Sequence, residues 1–156
     1  MQPERRLSHA RGYLELGMVA EAAAELARLP PGEGHRLDVL AVRVAVLQEQ
    51  HDWPALREAA GEFARRMPTE SAAWVTWAYA TRRADSLAAA ENILREAERL
   101  HPNDATIQFN LGCYACQRGA LAEARLRVAR AVAIDGTFAA AAATDPDLAP
   151  LRDGAP

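Results

Sequence analysis

The chain has 156 residues, half of them hydrophobic and a quarter charged, with a net charge of −3 and a pI near 5.8. That is enough length for one domain with a buried core, and the charge leaves no electrostatic footprint for nucleic acid or an anionic membrane. No apolar run follows Met1-Gln2-Pro3-Glu4-Arg5-Arg6 and no stretch is long enough to span a bilayer, so neither a secretory leader nor a membrane anchor is expected.

Apolar residues recur at helical spacing, with no alternating run that reads as a strand. Helices are predicted over 4–15 and 19–29, closed by Pro30-Pro31-Gly32-Glu33-Gly34. The next two are 37–49 and 53–66, separated by His51-Asp52 and ended by Pro68. Pro54 sits early in its helix, where a missing N–H does no harm. Helices over 71–83 and 86–100 follow, then Pro102-Asn103-Asp104 and helices over 105–117 and 121–134. Ser71 and Asp104 are expected N-caps, since a short side-chain oxygen accepts an orphan backbone N–H. Connections of two to five residues make neighbours antiparallel, giving eight helices in four pairs. A short helix over 138–143 is stopped by Thr144-Asp145-Pro146, and Leu148 and Leu151 are expected to dock on the last pair. The end, from Asp153 to Pro156, is expected to fray.

A second rhythm overlies the helical one. Gly17, His51, Asp85 and Gly119 are each 34 residues from the next, as are Ala10, Val44, Ala78 and Gly112, and Pro68 and Pro102. A period of this size marks stacked helical units that cover one another's apolar sides.

These units resemble the tetratricopeptide repeat (TPR). In 105–136 the residues carrying the likeness are Leu111-Gly112, Gly119, Glu123-Ala124 and Ala131, against Gln108 and Gly136 where a large apolar residue and a proline are usual. In 71–102 they are Trp74, Ala78, Ala90, Leu94, Ala97 and Pro102, with Asp85 at the turn. In 3–34 they are Ala10, Tyr13, Gly17, Glu21-Ala22 and Leu26. The weakest unit is 37–68: Leu40, Leu47, Phe63 and Pro68 fit, but Val44 and Leu56 stand where small residues are usual. The resemblance implies an all-α solenoid, a right-handed superhelix of about four units, with 137–156 as a capping segment and tail. The tail looks like the closing segment of some bacterial proteins of this type, and a bacterial source is expected.

In this family the first helix of each pair lines a concave groove. Carried over by position, the groove candidates are Arg11, Gln48, Tyr79, Arg82, Arg83, Phe109, Asn110, Cys113 and Gln117. Tyr79 and Phe109 suit apolar anchors, while Arg82 and Asn110 suit carboxylates or backbone. Some relatives clamp a C-terminal carboxylate with Lys and Asn. Here the matching places hold Leu7, Arg11, Val42, Ala72 and Thr76, so that ligand is disfavoured.

No catalytic constellation, phosphate loop or cofactor motif is found, and no cofactor or metal is expected. Cys113-Tyr114-Ala115-Cys116 has C-x-x-C spacing, but mid-helix, without a βαβ setting or a second zinc pair. The main reading is small side chains on a groove-lining helix, the alternative a redox-sensitive or metal site. The four histidines form no i,i+4 pair and are expected in solvent. Glu91, Arg95, Glu96, Glu98 and Arg99 read as a solvated helix face. Trp53, at a helix start, is expected to staple onto Phe63 or the preceding unit.

The sequence therefore points to a non-catalytic adaptor or scaffold that binds a peptide or helix of another protein in its groove. It would engage no nucleic acid and no membrane, would reside in the cytoplasm, and is a candidate for homo-oligomerisation. A chaperone of the type III secretion kind is the second reading. It ranks lower because the dimerising helix usual there has no counterpart before the first unit. A redox or metal protein using Cys113 and Cys116 is the third.

Overall fold

The computed structural model describes residues 1–153, and among them every regular element is helical. Four pairs follow in order: α1 (Pro3–Glu15) with α2 (Val19–Ala27), α3 (Leu37–Glu49) with α4 (Trp53–Arg66), α5 (Ser71–Ala84) with α6 (Leu87–Leu100), and α7 (Ala105–Gln117) with α8 (Leu121–Ile134). Each helix packs on its successor in the chain. Beyond them lie α9 (Phe138–Thr144), a 3₁₀ turn (Pro146–Leu148) and α10 (Ala149–Asp153). No helix among the described residues is long and apolar enough to cross a membrane.

Helix α2 stops earlier than the sequence suggests, at Ala27 rather than 29. Leu29 precedes Pro30, and a residue before proline is driven out of helical geometry by the ring. Gly32, at φ 94°, then turns the chain into a 3₁₀ turn (Glu33–His35). Asp104 caps α7 as expected, accepting from the Ile107 N–H at 3.0 Å. Ser71 does not cap. It is the first residue of α5, and Glu70 holds the cap position without a side-chain bond. Asp52 and Ser86 supply caps instead, accepting from the N–H groups of Ala55 and Ala89. The tail is helical through Asp153; the fraying expected beyond it lies outside the described residues.

Three of the four within-pair turns share one geometry. The N–H groups of Met18, Asp52 and Ala120 donate to Tyr13, Leu47 and Ala115, while those of Gly17, His51 and Gly119 donate to Leu14, Gln48 and Cys116. This paired closure needs its hinge residue left-handed. Gly17 (72°) and Gly119 (84°) meet that requirement freely, whereas His51 adopts it at 56° despite its Cβ. Asp85 is not left-handed, with φ −132°, and that turn closes differently.

Small residues sit where the helices cross. Ala10, Ala22, Ala78, Ala90, Ala124 and Ala131 have no exposed surface. A Cβ on Gly112 would lie 2.9 Å from Val128 Cγ2, so α7 and α8 approach backbone to side chain. Within the second pair Val44 and Leu56 replace small residues, and α3 and α4 share the sparsest interface of the four pairs. Bulk at a crossing point sets the distance between helices.

Successive pairs are tied by side chains reaching back to turn carbonyls. Arg66 donates to His35 O (2.6 Å) and Arg130 to Pro102 O (2.9 Å), while Pro68 O takes Trp74 Nε1 (3.1 Å) and lies 2.9 Å from His101 Nε2. His101 is therefore a structural contact rather than a freely solvated ring. On α6, Glu96 and Arg99 are exposed as expected, but between the third and fourth pairs a polar network engages Glu91, Arg95 and Glu98, which are not a freely solvated face. Glu91 is buried and meets Arg95 at 2.8 Å and Arg118 at 3.1 Å. Gln108, with no exposed surface, donates to Glu98 (2.9 Å) and accepts from Arg127 (3.0 Å). Its amide is satisfied on both ends, which is why a polar residue persists at an expected apolar place.

Candidate functional site

The first helices of three successive pairs border one open pocket of about 380 Å³. Gln48 and Glu49 come from α3, Val75, Thr76 and Tyr79 from α5, and Asn110 from α7. The turn after α3 adds His51, and the first residue of α4 adds Trp53. Three groove candidates, Gln48, Tyr79 and Asn110, thus meet in one cavity. Gln48 also lines a second hollow of about 270 Å³ with Leu14 of α1 and Ala45. Arg11 is exposed on α1 and lines neither.

The pocket's aromatic wall is assembled by the strained turn. The rings of His51 and Trp53 stack at 5.0 Å with 11° between planes, and Trp53 meets Tyr79 edge-on at 5.4 Å. Arg83 sits 5.2 Å from the Trp53 ring centre and 5.8 Å from that of Tyr79. A guanidinium over aromatic faces is attracted by the ring quadrupole. Trp53 packs against the small cluster of Leu56, Ala60 and Ala80 that joins the second pair to the third, and leaves part of its surface in the pocket. His51 was not legible as a site residue. Its one sequence signal was its place in a series whose other members include Gly17 and Gly119.

The remaining candidates are engaged by the chain's own tail. Both terminal guanidinium nitrogens of Arg82 donate to the Asp147 carboxylate, at 2.6 and 3.0 Å, and Gln117 Nε2 donates to the Asp147 carbonyl at 2.8 Å. Arg82 also lies over the Tyr114 ring, 5.3 Å from its centre. Phe109 packs on Phe138 of α9 at 5.0 Å. Phe109 and Cys113, expected to line an open groove, are instead buried, at 6% and 4% exposed. The tail that covers them begins some thirty residues later in the chain, beyond the reach of local pattern.

Cys113 and Cys116 are unbonded and buried. Burial, reinforced by the carboxylates of Asp145 and Asp147, pushes the Cys113 thiol up to about 12, and burial also raises Cys116. A thiol so shifted is a poor nucleophile and a poor metal ligand, because both roles need the thiolate. Ligating atoms of Cys113, Asp145 and Asp147 lie within 4.8 Å of one another. Asp147 is committed there to Arg82, however, and Asp145 accepts from the Asp147 N–H at 2.8 Å.

Paired helices packed in register, with first helices sharing a pocket, make this fold an α-solenoid of the tetratricopeptide type. The chain is similar in structure to a thermophilic TPR protein of Thermus thermophilus, TTC0263, with a TM-score of 0.68 and 17% identity over 98% of this chain and 84% of that one. It is also similar to MamA of MSR-1 (C2), at TM-score 0.77 and 17% identity over 88% and 79% of the two chains. A third likeness is to an RS-1 MamA double mutant (ArsTM), at 0.78 and 13% identity over 87% and 76%. No protein-family model and no curated protein matches the sequence.

Proposed function

We propose that this protein is a non-catalytic interaction scaffold that receives an extended peptide or a helix of another protein along its first-helix face. The observation that carries the reading is the pocket shared by Gln48, Tyr79 and Asn110, drawn from three successive helices. One wall is aromatic and suits an apolar side chain; Gln48 and Asn110 offer paired donors and acceptors for backbone. Tyr79 is 43% exposed, so a large amphipathic anchor already faces solvent before any partner arrives. The recognising array is four units, 3–34, 37–68, 71–102 and 105–136, closed by 137–156. Its setting is the cytoplasm, and its partners are proteins rather than nucleic acid or membrane.

The test is affinity capture from native lysate by the wild type, Tyr79→Ala and Asn110→Ala forms. Captured proteins lost from both variants, at unchanged helicity, support the groove. Identical capture by all three forms overturns it.

A further inference from the structure

The tail is gripped in an uneven way. Neither α9 nor α10 contains a fully buried residue, yet Leu148 between them is 1% exposed and belongs to the main core cluster. Beside it Asp147 takes three hydrogen bonds from two different helices: two on its carboxylate from Arg82 of α5, and one on its carbonyl from Gln117 of α7. A paired guanidinium–carboxylate contact is among the more specific polar recognitions available to a protein. Side-chain charge, main-chain carbonyl and one apolar anchor are therefore all read at two adjacent residues. The same helices continue into the open pocket. Tyr79 lies one turn before Arg82 on α5, and Asn110 one turn before Cys113 on α7. The turn at Asp145, whose carboxylate accepts from the Asp147 N–H, lets the chain leave α9 and cross to this position.

We infer that this surface is a docking site for an acidic segment that presents aspartate followed by leucine on a tight turn, and that Asp147-Leu148 occupies it in cis. This rests on the scaffold reading and names the ligand chemistry for its third and fourth units. A partner presenting the same pair competes with the tail. Its apparent affinity is reduced by the fraction of molecules in which the tail is bound.

The probe is a fluorescein-labelled synthetic peptide with the sequence of residues 144–153, measured by anisotropy against the full-length chain. Asp147→Ala removes the cis carboxylate and is expected to bind the peptide about tenfold more tightly than wild type. Adding Arg82→Gln to that variant is expected to abolish the gain, as is replacing the peptide's second aspartate by asparagine. Equal binding to wild type and Asp147→Ala, no binding to either, or a gain that survives Arg82→Gln overturns the inference. Should Asp147→Ala lose its helical signal, hydrogen exchange on the wild type decides the matter. Excess peptide must speed exchange of the tail amides from Asp147 to Arg152, and unchanged rates overturn the proposal. Tyr79→Ala, which tests the open pocket, is not part of this contact, so failure of the tail site leaves the scaffold reading to be judged by capture alone.

Discussion

Trp77 of α5 lies on the bare Cα of Gly61 in α4: a Cβ added there would come within 2.9 Å of both Cε2 and Nε1 of the indole. The ring is rigid and half-buried, so little can give way. Gly61→Ala gains about 1 kcal/mol of helix propensity but meets an overpacking cost of roughly 1–3 kcal/mol. A net loss of stability is expected. At Gly12, mid-α1, an added Cβ meets nothing within 4 Å, and the same substitution is expected to stabilise by about 1 kcal/mol. Paired urea titrations check the opposite signs.

Ala90 has no exposed surface and faces the small residues of α5. Ala90→Arg forces a long side chain and a charge into that contact, and a loss of more than about 3 kcal/mol is expected. A melting temperature equal to that of the wild type would count against the register of the pairs.

Glu98, Gln108 and Arg127 stand or fall together. Burial by itself would raise the Glu98 carboxyl, but hydrogen bonds from Arg127 and Gln108 outweigh it and hold the pKa below its ordinary 4.5. Glu123 is lowered in the same way by Arg127 and Arg118. A carboxylate depressed in the folded state contributes stability above its ordinary value and loses it as pH falls through the folded one. Stability is therefore expected to decline below about pH 4.5, and less steeply in Glu98→Gln. Arg127→Ala, which leaves the buried Gln108 carbonyl without its donor and removes the ion pair to half-buried Glu98, is expected to cost about 1–3 kcal/mol at neutral pH. Thermal melts across pH report both.

The Cys113 thiol, pushed up to about 12, is expected to remain unlabelled by a disulfide reagent at pH 8 in the native protein and to react on unfolding. Rapid labelling of native protein would reopen the redox reading. Retained helicity and unchanged partner capture in the double serine variant would close it.

His51→Gly relieves a left-handed backbone cost of roughly 1 kcal/mol or more while losing a stacked pair worth about 0.5–1.5 kcal/mol. Stability is expected to stay within about 1 kcal/mol of wild type. Trp53 emission is expected to shift, and proteins captured through the pocket to be lost. Such an uncoupling assigns the ring to the site rather than to the fold.

The helix pairs were legible in the chain because their signals are local. Asp104 caps its helix through a residue three positions away, and Gly17 and Gly119 close turns within six residues, so short-range chemistry specifies them. Ala78, Ala90, Gly112 and Ala124 announced the crossings because small side chains recur with the repeat. The open half of the candidate site, the pocket lined by Gln48, Tyr79 and Asn110, followed from register, since these residues share one face of successive first helices. What tertiary structure alone decided is the other half. Arg82 and Asp147 are 65 residues apart, and nothing in either neighbourhood predicts the pairing. Likewise Gln108 reads as a misplaced polar residue until α6 and α8 bring Glu98 and Arg127 to it. Local periodicity encodes which surfaces exist. Which of them are left open is set by packing between distant segments, where burial and ion pairing act together.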